Sequence, residues 1–243
     1  MNRKAALLSG AVGLACVASP LLAAKTMALP VSSEGMPTAF VVGPKANVID
    51  LAGSWEVFSD TSVEANDILP KDGADRFGGD PAATAAFAPY VVSDTVEPLA
   101  AGGGLTIVPN FSFENAPRPR IIVMGAQTGH TKAKLEWIRE MSRTADLVMS
   151  VCTGAFLLAA TGLLDGKRAT THHDYYDNFA STYPKVTLIR GPRFVDEGMF
   201  KTAGGLTSGI ELAIHVVEQY YGTPRADLLA HYLEYNRTSS RPS

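Results

Sequence analysis

Of the two cysteines in this 243-residue chain, Cys16 and Cys152, the second is set up for chemistry. Cys16 falls in an N-terminal segment that reads as a removable export signal. The mature chain is therefore expected to carry one thiol without an intramolecular partner, in a compartment where thiols are ordinarily paired or absent. Leu147-Val148-Met149-Ser150-Val151 has the character of a buried strand, and the run from Thr153 to Ala160 that of a helix packed on it. Cys152 thus falls at a strand-to-helix elbow, a turn that lifts a side chain out of a sheet and holds it beside free backbone N–H groups. Their partial positive charge favours a thiolate, which makes Cys152 a candidate nucleophile. The plain alternative is a small buried residue of the core.

The elements that must position this elbow read as an α/β pattern. Apolar runs with strand character recur at residues 39–42, 90–92, 121–124, 147–151, 186–189 and 200–202, several separated by helical patterns. Such alternation predicts a mainly parallel sheet with helices on both faces. Residues 131–142 and 208–221 are the clearest connecting helices. The second opens Ser208-Gly209-Ile210-Glu211, a capping-box spacing that marks Glu211 as a cap rather than a catalyst. A last helix is expected to start at Thr223-Pro224, with threonine as N-cap. Residues 60–88 are rich in Gly, Ala, Asp and Pro and read as a loop insertion or lid. Ala101-Gly102-Gly103-Gly104 reads as a turn into a strand, and residues 237–243 as a disordered tail.

The first 24 residues follow the order of a secretory signal: Arg3 and Lys4, an apolar stretch from Ala5 to Ala18, then small residues at Ala23 and Ala24. The stretch is short of the roughly 20 apolar residues of a membrane-spanning helix, so an exported protein with no stable membrane anchor is expected. Removal of Arg3 and Lys4 leaves 19 basic against 24 acidic residues, a net charge of −5. That balance argues against nucleic-acid binding, which needs clustered positive charge. The chain also ends soon after its last predicted helix, where a helix-turn-helix domain would otherwise be expected in a regulator.

Three motifs in order make the chain resemble the DJ-1/PfpI superfamily. They are Val48-Ile49-Asp50-Leu51-Ala52-Gly53-Ser54-Trp55-Glu56-Val57-Phe58; the elbow Val151-Cys152-Thr153-Gly154-Ala155-Phe156, with Gly162 through Ala169-Thr170-Thr171-His172 behind it; and Gly198-Met199-Phe200-Lys201-Thr202-Ala203-Gly204-Gly205-Leu206-Thr207-Ser208-Gly209. The similarity runs from about Thr38 to Tyr232. Within the superfamily it is to the branch that holds isonitrile hydratases and the amidase-like sensor domains of AraC-type regulators. The resemblance implies a three-layer, flavodoxin-like (class I glutamine amidotransferase-like) domain over residues 36–236, and a homodimer.

The resemblance also implies roles. Cys152 would be the nucleophile and Asp50 an acid lying against it, although an aspartate opening a short helix could be an N-cap. Thr153 stands where other branches carry histidine, and in the hydratase branch a threonine here assists catalysis. His172 would lie near the cysteine. Backbone N–H groups of Gly125, Ala126 and Thr153 would form an oxyanion hole, with Ala126 departing from the family's usual second glycine. His172-His173-Asp174 hints at a metal, but neighbours on an extended chain point to opposite faces, so no metal and no cofactor are expected. The activity implied is water addition to a small electrophilic carbon, an isonitrile hydratase-like hydro-lyase acting on a small-molecule substrate. The alternatives are a glyoxalase, amidase or hydrolase with His172 as helper, and a non-catalytic module sensing a ligand or oxidants.

Overall fold

The computed structural model describes residues 35–61 and 85–237. The expected signal segment 1–24, most of the 60–88 insertion and the tail beyond Arg237 lie outside the described residues. The chain runs β1 (Met36–Val41), α1 (Val48–Ser59), β2 (Phe87–Ser93), the short pair β3 (Leu99–Ala100) and β4 (Thr106–Ile107), β5 (Phe111–Ser112), β6 (Ile121–Met124), α2 (Lys132–Ser142), β7 (Leu147–Val151) and α3 (Gly154–Ala160). There follow β8 (Arg168–Ala169), α4 (Tyr176–Thr182), β9 (Thr187–Leu188), β10 (Phe194–Glu197), β11 (Phe200–Ala203), α5 (Ser208–Tyr221) and α6 (Thr223–Tyr232).

Seven strands form one sheet in the order β10-β11-β7-β6-β1-β2-β5. Every pairing is parallel except that of β10 with β11. Strands β6 and β7 are buried at every residue, which is why they read as unbroken apolar runs. Alternate residues of one strand feed opposite layers. Phe40 packs with Phe58, Phe87 and Leu212 under α1, α5 and α6, while its neighbours Ala39 and Val41 pack with Ile138, Leu158 and Phe179 under α2, α3 and α4. Burial of each such aromatic or branched side chain contributes about 1.5–3 kcal/mol.

Helices α1 and α5 meet through small residues, and this sets the depth of the site. A Cβ on Gly53 would lie 2.8 Å from Ile210 Cγ1, and one on Gly209 would lie 2.8 Å from Val151 Cγ1. The Ser54 hydroxyl donates to the Gly209 carbonyl at 3.4 Å. Side chains at either glycine would push α1, and with it Asp50, away from the end of β7.

Three expectations are corrected. The run 186–189 does not join the main sheet: β9 pairs with β8 in a separate two-stranded ribbon, while the β10–β11 hairpin takes the sheet edge beside β7. The capping box is not formed, because Thr207 bounds α5 and no side chain caps it. Glu211 is buried and instead accepts from the Tyr235 hydroxyl at 2.8 Å. At α6 the N-cap is Gly222, with φ of +82°, and the Thr223 hydroxyl donates to Glu218.

Candidate active site

Strand β7 ends at Val151, and Cys152 turns the chain with φ of +59°, a left-handed conformation costly for any residue but glycine. Its N–H donates to the carbonyls of Gly204 (2.8 Å) and Ala203 (3.2 Å), and its own carbonyl accepts from the Thr171 hydroxyl at 2.9 Å. These bonds hold the strained residue in place. Helix α3 can begin so close to the sheet only because residue 154 is glycine: a Cβ there would sit 2.3 Å from the Met124 carbonyl oxygen. The elbow is therefore as expected, but the thiol is not exposed. Cys152 is 5 % exposed.

Asp50 comes from the first turn of α1 and is completely buried. It is not the cap. Asn47 takes that place, its Oδ1 accepting from the Ile49 N–H at 3.2 Å. Asp50 points inward and packs on Gly125, where a Cβ would come within 2.7 Å of its own. Its Oδ2 accepts from the Ala126 N–H at 2.9 Å. This corrects the oxyanion expectation for Ala126, whose donor is spent on the carboxylate; at Gly125 the missing Cβ makes room for the acid. Ala126 is not in the left-handed region, so alanine costs no backbone strain there. The Oδ1 of Asp50 is buried without a hydrogen-bond partner of normal geometry.

The two groups perturb one another. Burial pushes the Asp50 carboxyl up to about 6, partly offset by the Ala126 N–H, the Cys152 thiol and the Leu206 N–H. Burial also pushes the Cys152 thiol up to about 11; the negative charge of Asp50 adds to this, while the N–H groups of Thr153 and Leu206 oppose it. The expected depression of the thiol is thus reversed, because desolvation outweighs the nearby N–H dipoles. At neutral pH the pair rests as a thiol beside a carboxylate, holding one proton between them.

Thr153 follows the elbow, its hydroxyl forming no cap bond to α3. It lines a cleft of about 660 Å³ together with Lys45, Val48, Ile49, Gln127 and Leu206. His172 is brought near but turned to packing. Its ring lies on Gly205, where a Cβ would meet Cδ2 at 2.2 Å, and Nδ1 accepts from the Asp174 N–H at 3.2 Å. It makes no hydrogen bond to Cys152. The expected divergence of His172 and His173 does not hold either: the chain turns at once into a 3₁₀ turn and the rings stack with centroids 4.4 Å apart. Ligand atoms of His172, His173 and Asp174 lie within 4.8 Å of one another, which makes them, among the described residues, a cluster with the spacing to hold a cation.

The sequence profile of the DJ-1/PfpI family matches residues 39–219. The chain belongs to this family. It is 36% identical over 152 residues to isonitrile hydratase of Pseudomonas putida, covering 60% of this chain and 65% of that one. It is 28% identical over 137 residues to the HTH-type transcriptional regulator CdhR of Pseudomonas aeruginosa, covering 55% of this chain and 40% of the regulator. The matched region is thus less than two thirds of either relative. A ThiJ/PfpI family protein from Pseudomonas syringae superposes with a TM-score of 0.68 at 22% identity, over 85% of this chain and 78% of that one, and shows the shared flavodoxin-like fold.

Two residues around this candidate site have no signature in the sequence of this DJ-1/PfpI family member. Leu206 has φ of +54°, which aims its N–H at both Cys152 and Asp50. Lys45 has φ of +57° and stands on the rim. Nothing in a leucine or lysine signals a left-handed backbone; the neighbouring Gly204-Gly205 pair would have drawn that expectation to itself.

Proposed function

We propose that the protein is a cysteine-dependent hydro-lyase that adds water to a small electrophilic carbon, most concretely the terminal carbon of an isonitrile, to give an N-substituted formamide. The observation that carries this reading is a fully buried carboxylate, Asp50, lying against a buried thiol, with the Cys152 thiol and the Leu206 N–H both directed at it. A base held at about 6 next to a protonated nucleophile can move a proton in both directions near neutrality. As sulfur bonds to the isonitrile carbon, Asp50 takes the thiol proton and returns it to that carbon, giving a thioimidate on Cys152. Water, polarised by Asp50 and the Thr153 hydroxyl, adds to the same carbon while the nitrogen gains a proton. The C–S bond then breaks, the thiol is restored, and the formamide leaves. Developing charge is met by the N–H groups of Thr153 and Leu206, not by Ala126.

The isonitrile hydratase relative supports the reaction class. The test is formamide production from cyclohexyl isocyanide by the purified protein, with Cys152→Ser and Asp50→Asn reduced to background while still folded. Formation undiminished in Cys152→Ser would refute it. The glyoxalase, amidase or hydrolase alternative has less support, because His172 gives Cys152 no hydrogen bond. A ligand-sensing role is the second reading, favoured by the resting protonation of the thiol; saturable ligand binding without turnover would select it. Redox sensing is disfavoured by the same protonation.

We also infer export, from the charged start, apolar stretch and small-residue exit of residues 1–24. Intact mass should place the mature N-terminus shortly after Ala24; recovery only from cytoplasm with Met1 retained would refute it. A homodimer is inferred from the family resemblance, and a monomer by light scattering at micromolar concentration would remove it.

A further inference from the structure

We propose that the cleft beside Cys152 is built for a small organic anion, whose carboxylate is held by Lys45 while its reacting carbon lies at the sulfur. This rests on the reading of the site given above and names the substrate class. Lys45 is the one charged side chain among the residues lining the cleft. Lys45 is exposed and, among the described residues, has no ion-pair or side-chain hydrogen-bond partner, while Val48, Ile49 and Leu206 give the cleft an apolar side.

The remaining polar groups sharpen the point. Gln127 is spent at both ends, its Nε2 donating to the Val41 carbonyl and its Oε1 accepting from Lys134. The Thr128 hydroxyl donates to the Pro44 carbonyl at 2.9 Å, and Asn47 Oδ1 caps α1. The lining side chains are thereby left with donors: the Lys45 ammonium, the Asn47 amide N–H groups and the Thr153 hydroxyl. A neutral ligand would leave the ammonium unused, whereas a carboxylate can take donors from Lys45 and Asn47 together.

The backbone holds Lys45 at this place. Its N–H donates to the Ala100 carbonyl at 2.8 Å, and the Gly102 N–H donates to the Ala46 carbonyl at 2.9 Å, tying the strained segment to the glycine turn opposite. At Gly103, which lines the cleft, a Cβ would meet nothing within 4 Å among the described residues, so the mouth beside the lysine is open there. Asp50, ionised at neutral pH, lies at the inner end of the site, so the anionic end of a ligand is directed outward to Lys45.

The experiment compares matched acid and ester pairs. Isocyanoacetate and its methyl ester report turnover; N-formylglycine and its methyl ester, the corresponding formamides, report binding by calorimetry without any need for turnover. The acid should be favoured about fivefold in KM and in binding at low salt, with the ratio falling toward one in Lys45→Met and in 0.5 M salt. Lys45→Glu should reverse it. Equal binding of acid and ester, no binding of either, or a preference that survives Lys45→Met would overturn the assignment. Acid-selective binding lost in Lys45→Met, with no turnover of either isonitrile, would uphold the anion site while removing the hydratase reading.

Discussion

Asp50 accepts a 2.9 Å hydrogen bond from the Ala126 N–H through Oδ2, while the Asn47 N–H donates at 2.8 Å to the Ala126 carbonyl. The first turn of α1 and the loop after β6 are thereby clamped from both sides. A donor that the family resemblance assigned to substrate holds the acid in place instead, and leaves the other carboxylate oxygen facing the thiol side of the site.

The rate should follow the ionisation of Asp50. With the carboxyl pushed up to about 6 by burial, kcat/KM should rise with a midpoint near pH 6 and stay level through neutral pH. Asp50→Asn should lower kcat/KM by about 10²–10⁴-fold and abolish that limb. A flat wild-type profile from pH 5 to 8 would contradict the assignment. Stability should move the other way. The folded value lies above the ordinary 3.8, so the folded state holds this proton more tightly, and the associated stability is lost as pH rises through about 6. The full loss is on the order of 3 kcal/mol, of which about 2 kcal/mol falls between pH 4.5 and 7.5, read as the difference between wild type and Asp50→Asn in urea unfolding at those two values.

Alkylation should report the reversed thiol shift. Because burial and the Asp50 charge push Cys152 up to about 11, labelling by iodoacetamide should be slow at pH 7 and still increasing above pH 9. Asp50→Asn removes the neighbouring charge and should speed labelling at neutral pH. Rapid wild-type labelling at pH 7 would show that the N–H groups of Thr153 and Leu206 dominate after all.

Two glycine substitutions should differ in kind. Gly154→Ala meets the Met124 backbone carbonyl at 2.3 Å, which cannot yield, so it should destabilise by at least about 1–3 kcal/mol and displace the elbow. Gly205→Ala meets the His172 ring at 2.2 Å, which can. Adding His172→Ala should recover much of the Gly205→Ala loss, a coupling read from a double-mutant cycle in denaturant. Additive losses would place the strain elsewhere.

The β10–β11 hairpin depends on a buried polar cluster. Burial alone would raise the Asp196 carboxyl, but His215, Lys201 and the Gly198 N–H hold it well below the usual carboxylate range. Lys201 is 2 % exposed and donates to Asp196 at 2.5 Å; His215 Nε2 lies 2.9 Å from the same carboxylate. Asp196→Asn should cost about 3–5 kcal/mol at pH 7, since it strands a buried ammonium, and Asp196→Asn with Lys201→Met should cost less. A depressed carboxylate contributes stability above its unfolded value, lost as pH falls through the folded one, so wild type should lose this advantage in acid. A single-variant cost below about 1 kcal/mol at pH 7 would refute the role.

Much of the frame was legible because it is local. Residues 121–124 and 147–151 are unbroken apolar runs bounded by polar turns, as strands covered on both faces must be, and the periodicity of 208–221 marks a helix without help from its neighbours. The elbow followed from the same locality, a strand running directly into a helix at Cys152. The ribbon of β8 and β9 was not legible, since Thr187 and Leu188 read as strand whichever partner they find. Nor was the Asp196 cluster, whose members are spread over β10, β11 and α5.

The site divides in the same way. The elbow and the residue type singled out Cys152, and the family resemblance added Asp50, Thr153 and His172 as candidates. Tertiary structure alone decided what surrounds them. Desolvation depends on everything packed around a group, here α1, the loop after β6, the elbow and the turn at Leu206, so no local argument could show that burial would outweigh the backbone dipoles and leave Cys152 protonated. The left-handed backbones of Lys45 and Leu206 have no signature in side-chain type, being imposed by bonds to distant segments and by the turn between β11 and α5. Which residues are candidates was written in the chain; in what ionisation state they sit, and facing which donors, was decided by packing.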